Sequence, residues 1–156
     1  MKPKVYLETS IISYLTSRPS RDLIIAAHQQ ITHDWWENHR HNFDLYVSQL
    51  VIEEAEAGDE VAAQRRLRAL SGIPLLSLTE ESVHLAEKLV RDGPIPPKAV
   101  VDAFHIAVAT FHGMDYLLTW NFKHIANAVM RSGIERVCRA AGYEPPIICT
   151  PQELLE

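Results

Sequence analysis

The most constraining stretch of this chain runs from Lys98 to Asn127, KAVVDAFHIAVATFHGMDYLLTWNFKHIAN. Its first half, Ala99 to His112, has helical period and is apolar on nearly every face, which predicts a helix buried inside a core. Asp102 nevertheless stands in the first turn of that helix. An ionised carboxylate there costs on the order of several kcal/mol unless it is paired or bound to a metal. Gly113 turns the chain, Tyr116 to Thr119 reads as a short strand, and a polar cluster follows: Asn121, Lys123, His124 and Asn127. The rest of the chain must supply whatever satisfies Asp102.

At 156 residues the chain fits one domain, residues 1–156, with a single full-sized core. No apolar run approaches a membrane span, and the start, MKPKVYLETS, lacks the cationic, apolar and small-residue parts of a signal peptide. The two cysteines, Cys138 and Cys149, are not spaced as a metal pair and are too few for a disulfide framework. A reducing, cytoplasmic setting is the default expectation. The net charge of −5 argues against a protein that coats nucleic acid through bulk positive charge. It leaves room for an enzyme that holds nucleic acid through metal ions and a local basic patch.

Lys4 to Leu7 predicts a first strand ending at Glu8, with Thr9 or Ser10 capping a helix from Ile11 to Leu15. Ser20 is expected to cap a longer helix from Arg21 to about His39, buried through Leu23, Ala27, Ile31 and Trp35. Phe43 to Val47 reads as a second strand, and Ser48 opens a helix carrying Glu53 and Glu54. Asp59 caps a helix from Glu60 to Leu70, Leu75 to Ser77 is a third strand, and Thr79 starts a helix through Arg91. The proline-rich run Asp92 to Pro97 is a stiff lead-in to the central helix. Ala128 to Ala141 reads as one or two helices broken at Gly133, and Ile147 to Cys149 as the last strand.

Strands alternating with helices predict a three-layer α/β/α sandwich on a mostly parallel central sheet. Ligands of such sheets bind outside the carboxyl ends of the strands. That rule brings Glu8, Ser48, Glu54 and Asn121 to one edge, with Asp102 able to point into the same crevice. Carboxylate and amide oxygens converging from separated segments suit a magnesium or manganese ion.

At these residues the sequence resembles the PIN-domain family and, within it, the VapC-like toxins of bacterial toxin–antitoxin pairs. The resemblance rests on VYLETSIISYL, on Ser48 followed six residues on by Glu54, on DAFHIAVA at Asp102, and on LLTWNFKHIAN. It implies a divalent-metal-dependent endoribonuclease whose acid positions, which bind metal and carry catalysis, are Glu8, Glu54, Asp102 and Asn121. Thr9 and Thr119 take the usual hydroxyl positions, and the spacing from Ser48 selects Glu54 over Glu53. An antitoxin partner and a homodimer are implied in the same way. Two positions depart from the family pattern. Glu8 is one methylene longer than the usual Asp, which points to binding through water or to manganese. Asn121, where Asp is common, offers an oxygen without charge, so a second metal would be held weakly. Lys123, His124 and Arg131 are the candidates to grip an RNA backbone, a contact independent of sequence. The alternative is a catalytically weakened PIN-like domain that keeps RNA or protein binding.

Other polar residues read more plainly. His105, three residues after Asp102 on the same face, is expected to be a core histidine bonded to a neighbour. His124 divides evenly between an RNA contact and a structural cap. His33, His39 and His41 match no zinc spacing. Arg65, Arg66 and Arg68 read as a solvated helix face, and Asp115 as a turn residue.

Overall fold

A computed structural model describes residues 1–156. Five parallel strands form the central sheet: β1 Lys4–Leu7, β2 Asp44–Ser48, β3 Leu75–Leu76, β4 Tyr116–Leu118 and β5 Ile147–Cys149. Helices α1 Thr9–Thr16, α2 Leu23–Asn38, α3 Gln49–Glu56, α4 Glu60–Leu70, α5 Glu80–Arg91, α6 Val100–Phe111 and α7 Ala128–Ala140 connect them. The strand order is β3-β2-β1-β4-β5. The chain therefore winds outward on one side of β1, then crosses to the other side at β4. That reversal makes a crevice between the carboxyl ends of β1 and β4, where such folds bind ligands.

β1 lies in the middle of the sheet, and its Val5, Tyr6 and Leu7 are fully buried. A strand covered on both faces needs a continuous apolar run rather than alternation, and VYL supplies it. Val5, Tyr6 and Leu7 pair with Tyr116, Leu117 and Leu118 in β4, which sets Glu8 beside Thr119. Asp115, read as a turn residue, accepts a hydrogen bond from the Lys4 amide at 2.8 Å and so closes the opposite end of the same pair.

The central helix begins at Val100 after a short 3-10 turn, Pro97–Ala99, that ends the proline-rich lead-in. From Ala103 to Thr110 every residue but Phe104 is buried, while Val100 and Val101 at the first turn are exposed. α6 packs beside α5, and Gly113 follows at φ 69°, a left-handed turn that glycine makes without Cβ strain.

Local expectations needed revision at three places. Glu8, not Thr9 or Ser10, stands at the N-cap of α1, because both hydroxyls are drawn into side-chain contacts with carboxylates. α2 starts at Leu23 and is capped by Asp22, whose Oδ1 accepts from the amides of Ile24 and Ile25. Its buried residues are Gln29, Thr32 and Trp35, of which only Trp35 belongs to the expected stripe, and Leu23 is left 86% exposed. α7 is one continuous helix through Gly133. A Cβ at Gly133 would lie 3.1 Å from Pro94 Cδ, so the glycine serves close packing against the proline-rich lead-in rather than a break.

Candidate active site

The site is built at the carboxyl ends of β1, β2 and β4. Glu8 follows β1 directly and is only 5% exposed. Its Oε1 accepts hydrogen bonds from Ser10 Oγ and from Thr119 Oγ1, the latter at 2.6 Å across the β1–β4 crevice. Ser10 Oγ in turn accepts from the Trp120 amide, and Thr119 Oγ1 from the Asn121 amide. A buried carboxylate needs donors, and two hydroxyls anchored by backbone amides provide them in fixed positions.

Glu54 comes from α3, after β2. Thr9 Oγ1 donates to its Oε1 at 2.6 Å, and His105 Nε2 lies 2.6 Å from the same oxygen. Behind His105 the network continues into the core: its Nδ1 is 2.7 Å from the Tyr6 hydroxyl, which is 2.7 Å from Ser48 Oγ. His105, Tyr6 and Ser48 are all buried. Burial opposes ionisation of Glu54, but the hydrogen bond and charge of His105, with the Thr9 hydrogen bond, outweigh it and lower its pKa. Tyr6 is pushed the other way, its phenol pKa raised by burial, and the nearby Glu8 and Glu54 add to the shift despite the bond to Ser48. The hydroxyl therefore stays protonated and able to donate.

Asp102 is met by the polar cluster that follows β4. Asn121 Nδ2 donates to its Oδ1 at 3.1 Å, and His124 Nδ1 lies 2.9 Å from its Oδ2. Asn121 Oδ1 accepts from the amides of Lys123 and His124. Reversing the amide would set its nitrogen against two donors, so the oxygen is committed to the loop and the nitrogen to Asp102.

A PIN domain family model matches residues 5–127, from the first strand to the cap of α7. The chain belongs to the PIN domain family. The match takes in every candidate residue except Arg131. PIN domains are generally nucleases and typically bind divalent metals. No curated protein matches the chain significantly. Among solved structures, the chain is similar to a chain of VapBC2 from Rickettsia felis bound to a DNA fragment from their promoter. The two are 16% identical with a TM-score of 0.59, over 94% of this chain and 98% of that one. At that identity the likeness is one of fold.

Within the PIN domain the predicted acids fall into two linked groups. Glu8 and Glu54 offer oxygens within 4.8 Å of each other and of a ring nitrogen of His105. Asp102 lies one turn of α6 before His105, paired with Asn121 and His124. Two carboxylates beside an imidazole form a cluster whose chemistry fits a metal ion. Thr9 and Thr119 each hold one of the two glutamates. Lys123 is exposed in the loop between Asn121 and His124. Arg131 stands apart: it lines a cleft of about 190 Å³ with Glu135, Arg139, Glu144 and Glu153, and no hydrogen bond joins it to the acids.

Two residues carry more of the site than their sequence positions suggest. His105 is the core histidine bonded to its neighbours that the helix pattern implies, and one of those neighbours is Glu54. Ser10 was legible only as a cap, since nothing in the sequence places it against Glu8 and Trp120.

Proposed function

We propose that this PIN domain is a divalent-metal-dependent endoribonuclease and acts as the toxin of a toxin–antitoxin pair. The observation that carries the reading is the meeting of Glu8 and Glu54 with His105 at the carboxyl ends of parallel strands, in a chain of the PIN family. Glu8 and Glu54 would hold the ion, with His105 in reach and Asp102 one turn away on α6. A divalent cation there supplies positive charge that makes water more acidic and offsets charge developing on a phosphate. The chain's own groups prepare for it. Thr9 and His105 keep Glu54 ionised and aimed. Thr119 and Ser10 fix Glu8, and Asn121 and His124 fix Asp102. Lys123, exposed beside them, meets the backbone phosphates of RNA.

A protein partner is supported by the start of α2, where Leu23 and Ile24 are 86% and 69% exposed. An antitoxin and a second copy of the chain are the partners in this reading, and the cytoplasm is the setting. No helix is long and apolar enough to cross a membrane.

One observation favours a second reading, a PIN domain whose chemistry is weakened and which binds RNA or protein. Both oxygens of Asp102 are engaged by side chains, and the Asn121 oxygen is turned to the backbone. The two readings separate when a panel of structured RNAs is incubated with purified protein and manganese or magnesium, beside Asp102→Ala prepared identically. Metal-dependent cleavage lost in the variant establishes the nuclease. Equal cleavage by both marks a contaminant, and no cleavage with either metal gives the binding module.

A further inference from the structure

Four aromatic rings are laid against one another next to the acid cluster. His28 from α2 stacks on Trp120 with centroids 4.1 Å apart and planes 16° from parallel. Tyr14 from α1 continues the stack, 6.0 Å from Trp120 at 12°. Phe122 closes it, tilted 54° to His28 at 5.8 Å and edge-on to Trp120 at 6.1 Å. Trp120 is 4% exposed and its Nε1 donates to Thr32 Oγ1, whereas Phe122 is 49% exposed.

A single exposed phenylalanine is ordinary on a protein surface. Phe122 differs in being held. Its ring is braced by His28 and Trp120, its carbonyl accepts from Asn127 Nδ2 at 3.1 Å, and its neighbours are held: the Asn121 amide donates to Thr119 Oγ1 and the Lys123 amide to Asn121 Oδ1. It therefore presents an aromatic surface with little ordering entropy left to lose on binding. It also sits between Asn121, which holds Asp102, and the exposed Lys123. An aromatic surface beside a cation, at the edge of an acid cluster, matches the way unpaired bases are held: stacking for the base, charge for the phosphate.

We propose that Phe122 is a base-stacking platform that positions an unpaired nucleotide next to the candidate active site. The substrate class is then RNA with a single-stranded segment, a loop or an end, rather than a continuous duplex. This deepens the nuclease reading and rests on it for the identity of the bound polymer.

The test is binding of a fluorescent single-stranded RNA of about 12 nucleotides, and of its duplex, by the full chain in an Asp102→Asn background so that the RNA survives. Phe122→Ala, Phe122→Leu and Phe122→Trp are compared, with thermal melting as a check on folding. We expect Phe122→Ala and Phe122→Leu to weaken single-strand binding roughly 5- to 100-fold. Phe122→Trp should retain it, and duplex binding should be weak throughout. Removing one base at a time should uncover a position that matters to the Phe122 protein and not to Phe122→Ala. Equal affinities, an equal loss on single strand and duplex, or no such position would overturn the proposal. Metal-dependent cleavage by wild type alongside any of those results leaves the nuclease reading standing and removes only the platform. No RNA binding together with no cleavage removes both.

Discussion

His105 Nε2 and Glu54 Oε1 lie 2.6 Å apart, and through this one contact the buried centre of the sheet reaches the candidate active site. Behind the imidazole stand Tyr6 and Ser48, one from the middle of β1 and one from the end of β2. The contacts run without a break from Ser48 to Tyr6 to His105 to Glu54.

Tyr6→Phe removes the middle of that chain. It keeps the ring and its packing but leaves Ser48 and His105 Nδ1, both buried, without a partner. A loss of about 1–3 kcal/mol is expected, read as a lower urea midpoint at unchanged slope. An unchanged midpoint would mean that the two groups find other partners.

Glu54 gives the fold a pH dependence with a definite sign. Its folded pKa is lowered, so the unfolded chain binds the proton more readily and stability rises with pH through the carboxylate range. The contribution is present above the unfolded value of about 4.3 and is lost as pH falls through the lower folded value. Thermal melting from neutral pH down to about pH 3 should show a shallower acid decline in Glu54→Gln than in wild type. Parallel declines would deny Glu54 that role.

The two cysteines should be silent in the native protein. Burial pushes the Cys149 thiol up to about 12, helped by Glu153, and burial also raises Cys138 against the pull of its Thr110 hydrogen bond. Thiolate is the reactive form, so a disulfide reagent at about pH 8 should label neither until denaturant is added. Stoichiometric labelling of folded protein would contradict their burial.

The start of α2 distinguishes two caps. Asp22→Ala should cost about 1 kcal/mol, because two helix amides lose their acceptor. Ser20→Ala should cost less, since Ser20 Oγ accepts only from the Asp22 amide outside the helix. Urea unfolding of the pair decides which residue begins the helix.

Much of the fold is legible in the residue pattern, and the misses share a cause. β1, the central helix and the caps at Asp59 and Thr79 follow from local chemistry, and the structure has them where that chemistry predicts. The buried face of α2 was misjudged because partners outside the helix select it: Gln29 donates to Ser17 and Arg18, and Thr32 accepts from Trp120. Gly133 read as a break because its reason lies in Pro94, distant along the chain. In the site, Glu8, Glu54 and Asp102 are visible as acids at strand ends and on an apolar helix. The way they are grouped is not: only the folded chain sets His105 against Glu54 and turns the Asn121 oxygen from the crevice to the backbone.

Glu8 precedes its donor Thr119 by 111 residues along the chain, so it is synthesised first. The acid cluster therefore cannot close on the ribosome until β4 has emerged and docked beside β1. A nascent chain halted before that point carries Glu8 and Glu54 but not the strand that cages Glu8. For a nuclease, that order of assembly would keep the site incomplete until β4 has been made.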